Sequence, residues 1–289
     1  MEYSLRDARA SDKELLAPWT THTFAWGDYV VDSFDRWLAH PQSRVLVAAD
    51  DTDEPIAVAR GVLLSPDELW LQGVRVHPDW RRRGIASDLG VNLQHWGAQQ
   101  HAKVALLMIE DWNEAARDQV THLGFRETTT WLRAFQATKH SGRMIKVASD
   151  LPDEPLRRSA TAEVGPAYLA WSRGELSRAA RGMMAVSWQC RRLHIEDLER
   201  AAEHGALLAG PTGWAVGAPR DHRLEVGWVQ TTPDRAVAHF RALLDLAVSD
   251  EAATLEIMIP AVPWLEEAAL AANFELERLL LFEKALYLS

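Results

Sequence analysis

The stretch Val74-Arg75-Val76-His77-Pro78-Asp79-Trp80-Arg81-Arg82-Arg83-Gly84-Ile85-Ala86 decides the fold, and it reads as three joined parts. Leu69, Leu71, Val74 and Val76 alternate as in a strand, with a phase change at Gly73 that predicts a bulge. Pro78 has no N–H for a sheet ladder and ends that strand. Residues 80–86 form a basic turn with one glycine, after which Ile85, Leu89, Leu93 and Trp96 recur at helical spacing. Strand, basic glycine turn and helix start together make an anion site. Several backbone N–H groups and the positive end of a helix converge there, where bulky side chains are absent.

The spacing Val-x-Val-x-Pro-x-x-Arg-x-x-Gly-x-Ala resembles the acyl-CoA pyrophosphate loop of the GNAT superfamily of N-acetyltransferases. Arg81, Gly84 and Ala86 fall on the family's three marked positions. The resemblance implies that backbone N–H groups of Arg82, Arg83, Gly84, Ile85, Ala86 and Ser87 hold the pyrophosphate. It also implies that the main chain of Val74, Arg75 and Val76 pairs with the pantetheine arm. A second signature lies in Asn113, Ala116, Gly124 and Phe125, and the family's tyrosine position between them is Val120. By the same resemblance the Asn113 amide bonds pantetheine and Ala116 lets the cofactor approach. The bland readings of these residues are a strand–turn–helix with solvated arginines, and a helix C-cap followed by a core aromatic.

At 289 residues the chain has room for two domains, each large enough to bury a core. One cysteine, Cys190, excludes an internal disulfide and any multi-cysteine metal site, and it fits a reducing, cytoplasmic setting. The charged start MEYSLRDARASD predicts no signal peptide, and no apolar run approaches eighteen residues, so no membrane span is expected. A net charge of −10 argues against nucleic acid and favours cationic or small partners. The eleven histidines have no zinc-ligand spacing, and no metal is expected.

The predicted order is a strand at Tyr3–Arg9, a helix from Ser11 or Asp12, a mixed region Thr20–His40 and a hairpin Arg44–Ala49 with Ile56–Leu64. The quoted strand follows, then a helix Ile85–Gln100, a strand Lys103–Ile109, a helix Trp112–Leu123 and strands from Phe125 to about Ala137. This order is similar to that of the GNAT family. Residues 140–155 carry linker marks, which divides the chain into domains 1–148 and 149–289. The halves look related. Leu255–Ile259 repeats Ala105–Ile109, and at that offset Val226-Gly227-Trp228 falls on Val76-His77-Pro78, and residues 230–236 on 80–86. In the copy, Pro233 lacks an N–H and Asp234 brings a negative charge to the phosphate position. The expected architecture is α/β: two tandem GNAT folds, each a mixed, largely antiparallel sheet flanked by helices, forming a monomeric pseudo-dimer. Only the first domain carries an intact acyl-CoA loop.

The implied chemistry is transfer of an acetyl group from acetyl-CoA to a primary amine of a small molecule or peptide by direct attack. The amine, with a pKa near 10.4, needs a base or a water chain. Glu68, at the start of the strand, and Glu110, at the end of the next, are the candidates, with His77 behind them. Val120 removes the phenol that in the family protonates the departing thiolate. That gap keeps a non-catalytic acyl-CoA-binding module open as an alternative, beside a mycothiol-synthase-like tandem. For the acceptor, Asp28, Asp32 and Asp35 at helical spacing, with Trp26 and Trp37, predict an anionic, aromatic-walled pocket; a solvated acidic face is the competing reading.

Overall fold

A computed structural model describes residues 2–21, 23, 27–138 and 155–287. Apolar alternation has become strand and helical periodicity has become helix nearly throughout. The chain falls into two compact units, Met1–Ile109 with Asn113–Glu127 and Phe282–Ser289, and Glu110–Trp112 with Thr128–Leu281. A single cut at 148/149 therefore does not separate them, and that cut itself lies outside the described residues.

The first unit holds β1 (Ser4–Asp7), α1 (Asp12–Thr20), α2 (Val30–Ala39), β2 (Ser43–Ala49), β3 (Pro55–Ser65), β4 (Glu68–Val76), α3 (Ile85–Gln99), most of β5 (Val104–Glu110) and α4 (Glu114–His122). Its sheet runs β1-β2-β3-β4-β5, antiparallel except for the β4–β5 pair. Leu16 of α1 and Val30, Phe34 and Trp37 of α2 pack on Val45, Val47 and Val58. Burying rings such as Phe34 contributes roughly 2–3 kcal/mol each. On the other face α3 lies against the sheet, with Leu93 and Trp96 beside Gly61. Helix α1 starts at Asp12 with Ser11 at the N-cap, which makes no side-chain cap bond, and Asp12 is buried against Arg6, whose Nη1 donates to it at 2.8 Å.

The second unit holds β6 (Arg126–Ala137) from Thr128 onward, β7 (Arg157–Arg158), α5 (Val164–Arg173), α6 (Glu175–Ala179), β8 (Met183–Val186), β9 (Gln189–Arg192) and α7 (Ile195–Glu203). It continues with β10 (Leu207–Gly210), β11 (Gly213–Arg220), β12 (Arg223–Gln230), α8 (Ala236–Ser249), β13 (Thr254–Pro260), α9 (Pro263–Ala271) and β14 (Glu275–Ala285) up to Leu281. Its strand order is β14-β6-β13-β12-β11-β10-β7, with β12 and β13 parallel. The pairing of β6 with β13, from Thr254↔Ala137 to Pro260↔Trp131, takes that strand into the second unit. Residues 282–285 count with the first unit, where the Leu286 N–H donates to the Lys103 carbonyl at 2.8 Å.

The internal repeat is real, but its offset at the loop needs correction. Strand β12 ends at Gln230 and α8 begins at Ala236, as β4 ends at Val76 and α3 begins at Ile85. Gln230, not Val226, therefore corresponds to Val76. The strand-to-helix loop of the second unit has five residues, 231–235, against eight, 77–84, in the first. The constant offset fails because the shorter loop of the second unit moves the two strands out of step. Among the described residues no helix is long and apolar enough to cross a membrane.

Candidate active site

Strands β4 and β5 are hydrogen-bonded only at Glu68↔Val104, Leu69↔Ala105 and Trp70↔Leu106. Both continue, to Val76 and Glu110, without pairing further. A bulge helps to part them. Arg75 opposes Val58 and Gln72 opposes Arg60, so Gly73 and Val74 together face one residue of β3. Gly73 sits at φ +69°, and a Cβ there would meet the Trp37 ring at 2.5 Å, so neither the conformation nor the packing admits a side chain. The result is a slot bounded by the main chain of Val74, Arg75 and Val76, with Val74 exposed.

The slot leads to the basic turn. His77 takes the Asp79 N–H on Nδ1 at 3.3 Å and Pro78–Trp80 form a 3-10 turn. Arg82, at φ +61°, and Gly84, at φ +82°, then swing the chain into α3. Gly84 is the N-cap and brings no side-chain oxygen, so no side chain caps the first N–H groups of α3, at Ile85, Ala86 and Ser87. Space outside Gly84 is open, since a Cβ there would meet nothing within 4 Å. Arg81 Nε donates to the Val76 carbonyl at 3.2 Å, and Arg83 stacks on Trp80 at 4.7 Å while donating to the Asp79 carbonyl at 3.1 Å. All three arginines stay exposed. Uncapped N–H groups, a helix dipole and three cations around an open cradle fit a pyrophosphate.

The other expected residues divide. Asn113 N-caps α4, its Oδ1 accepting the Ala116 N–H at 3.2 Å, which leaves its amide N–H groups outside the cap. Val120 is half-buried on α4. Glu68 stands apart from the slot. It is buried at the paired end of β4, accepts a bond from Ser65 Oγ at 2.8 Å, and lies six residues, about 20 Å of strand, before Val74. Glu110 is half-buried at the end of β5 and groups with the second unit. His77 is held by its own turn and by the edge of Trp19 at 5.5 Å.

The anionic pocket does not form as expected. Helix α2 starts at Val30, so Asp28 precedes it and does not share a helical face with Asp32 and Asp35. Its side chain is fully buried, accepts the Val30 N–H at 2.9 Å and pairs with Arg75 Nε at 2.5 Å. Asp32 is exposed, and Asp35 pairs with Lys13. Trp26 lies outside the described residues. What the sequence reading overlooked is Arg60 of β3, buried on the α1/α2 face with its Nε donating to Ser43 Oγ at 2.8 Å. The available signal was one charge inside the apolar run Pro55–Ser65. Among the described residues no group of three or more His, Cys, Asp or Glu is placed to hold a metal ion.

A slot between parting parallel strands thus ends at a basic helix N-terminus. Residues 13–125 match the model of the acetyltransferase (GNAT) family. The whole chain is similar in fold to a GCN5-related N-acetyltransferase from Sphaerobacter thermophilus, at 13% identity and TM-score 0.65 over 98% of this chain and 95% of that one. It is also similar to a tandem GNAT protein from the clavulanic acid biosynthesis pathway, at 12% identity and TM-score 0.59 over 100% of both chains. A GCN5-related N-acetyltransferase from Kribbella flavida matches at 16% identity and TM-score 0.50, over 97% of this chain and 71% of that one. No curated protein matches it in sequence. The protein thus carries two GNAT folds in tandem.

Proposed function

We propose that the first unit binds one acetyl-CoA and transfers its acetyl group to a primary amine of a small molecule or peptide, and that the second unit binds none. The observation that carries this reading is the slot beyond Trp70 that runs into the uncapped start of α3. In this reading the main chain of Val74–Val76 holds the pantetheine arm. A strand N–H polarises the thioester carbonyl, a contribution of about 3–4 kcal/mol for such donors. The amine nitrogen attacks that carbon, the C–S bond breaks, and the CoA sulfur leaves as thiolate; with a thiol pKa near 8.5 it needs no phenol at Val120. The amine's proton passes to Glu110 or to water.

Three observations support silence in the second unit. Its loop is three residues shorter, counting 231–235 against 77–84. Arg235 donates to the Pro211 carbonyl at 2.9 Å, and Asp234 stands at the loop. The β8–β9 hairpin also lies on β12, its Ala185 carbonyl 2.0 Å from where a Gly227 Cβ would be. A monomer working in the cytoplasm, in keeping with the lone buried Cys190, completes the proposal.

Titration calorimetry with acetyl-CoA should give one site per chain, and free-thiol release with a panel of primary amines should show turnover. Two sites, or none, would refute the assignment. Binding without thiol release for any amine would favour the second reading, a non-catalytic acyl-CoA module, for which Val120 is the supporting observation.

A further inference from the structure

Four arginines that are only half-buried face carboxylates. Arg6 meets Asp12, Arg75 meets Asp28, Arg133 meets Glu256 and Arg191 meets Asp197. Arg60 does not. It is 6% exposed, its Nε is held by Ser43 Oγ, and its guanidinium lies over the Trp37 ring at 5.4 Å. Among the described residues no carboxylate pairs with it. Burial pushes its pKa down to about 10; the Tyr29 phenol works against that shift and the Arg36 cation adds to it. A buried guanidinium without a counter-charge costs several kcal/mol, which one serine and a ring face do not offset. Such a cost persists where a ligand supplies the missing charge.

The position of Arg60 suits that purpose. It opposes Gln72 across the β3–β4 ladder, two residues beyond Trp70, where β4 has left β5 and the slot begins. The side chain stands on the α1/α2 face with Trp37, while the acyl-CoA loop lies at the far end of β4. Asp28 is already neutralised by Arg75, so the charge left over in this corner is positive, from Arg60 and the exposed Arg36.

We propose that Arg60 is the recognition residue for a carboxylate on the acceptor, which makes the acceptor an amine that also bears an acid group. The planar guanidinium presents Nη1 and Nη2 as a fork matched to two carboxylate oxygens, and the Ser43 bond and Trp37 face hold the fork in orientation. The inference deepens the reading above and rests on it for the amine. The carboxylate part can be tested without turnover.

Three probes separate the possibilities: succinate, β-alanine and propylamine, each measured by thermal shift and calorimetry against wild type and Arg60→Met. Succinate and β-alanine should stabilise the wild type, propylamine should not, and Arg60→Met should weaken the first two at least about tenfold while acetyl-CoA binds as before. The unliganded variant should melt at or above the wild-type midpoint, because an uncompensated buried cation has been removed. A marked fall in that midpoint, equal response to propylamine and β-alanine, or no response to any probe would overturn the proposal. Should Arg60→Met fail to fold, Arg60→Lys, which keeps the charge and loses the fork, must still weaken succinate; unchanged binding overturns it. If succinate binding depends on Arg60 but no amine is acylated, the acyltransfer reading fails and the carboxylate site stands. If amines are acylated and Arg60→Met handles β-alanine like wild type, the site fails and the acyltransfer reading stands.

Discussion

Replacing Gly84 by aspartate puts one negative charge into the open space where a pyrophosphate would sit, because a Cβ at that residue points at nothing within 4 Å. A carboxylate about 5 Å from a dianion is repelled by roughly 1.7 kcal/mol in a water-like dielectric and by more if the loop excludes water. The lower figure applies to this exposed turn. The φ of +82° adds strain of about 1–2 kcal/mol for any L side chain, which acts on stability rather than on affinity alone. Gly84→Ala carries that strain without the charge and serves as the reference. Calorimetric titration with acetyl-CoA should therefore find Gly84→Asp weaker than Gly84→Ala by at least about 1.7 kcal/mol, nearly twentyfold. Raising the salt concentration should narrow the gap, since exposed charges are screened. Equal affinities for the two variants would show that phosphate does not sit at this helix start.

Three further outcomes follow from the packing. Arg75→Met leaves the fully buried Asp28 carboxylate, among the described residues, with the Val30 N–H, and urea unfolding should register a loss of about 3 kcal/mol or more; a loss under about 1 would mean Asp28 finds water. Burial pushes the pKa of His239 from 6.5 to about 4, so the folded state keeps it neutral while the unfolded chain protonates near 6.5. Its contribution to stability is complete above pH 6.5 and drains away as pH falls toward 4, by roughly 3 kcal/mol in all. His239→Gln should flatten that acid limb, and parallel limbs for variant and wild type would refute the assignment. Gly227→Ala drives a methyl into the Ala185 carbonyl and should cost about 1–3 kcal/mol in urea unfolding; an unchanged midpoint would mean the β8–β9 hairpin yields freely.

The strand, basic turn and helix start of residues 74–86 were legible because their signals are local. Pro78 stops a strand, Gly84 supplies a positive φ, and the bulge at Gly73 shows as a break in alternation. Asp28 was misread because a spacing of four to Asp32 places two residues on one face only inside a helix, and α2 starts at Val30. Arg60 carried a signal that spacing rules pass over, since one charge in an apolar strand says nothing of which residue, if any, faces it. The pairing of β6 with β13 was invisible, because nothing local in either strand marks which distant strand it joins.

The membership of residues 282–285 in the first unit has a consequence for synthesis. Protein chains are made at about 5–20 residues per second, so a strand that resumes the unit at Phe282, roughly 150 residues beyond Glu127, arrives roughly 8–30 s after the rest of that unit. Throughout that interval the Lys103 carbonyl lacks the Leu286 N–H, and the edge of β5 waits uncovered on the ribosome. The first unit of this protein is begun first and completed only when its distant strand emerges, which leaves a nascent sheet edge for a chaperone to shield.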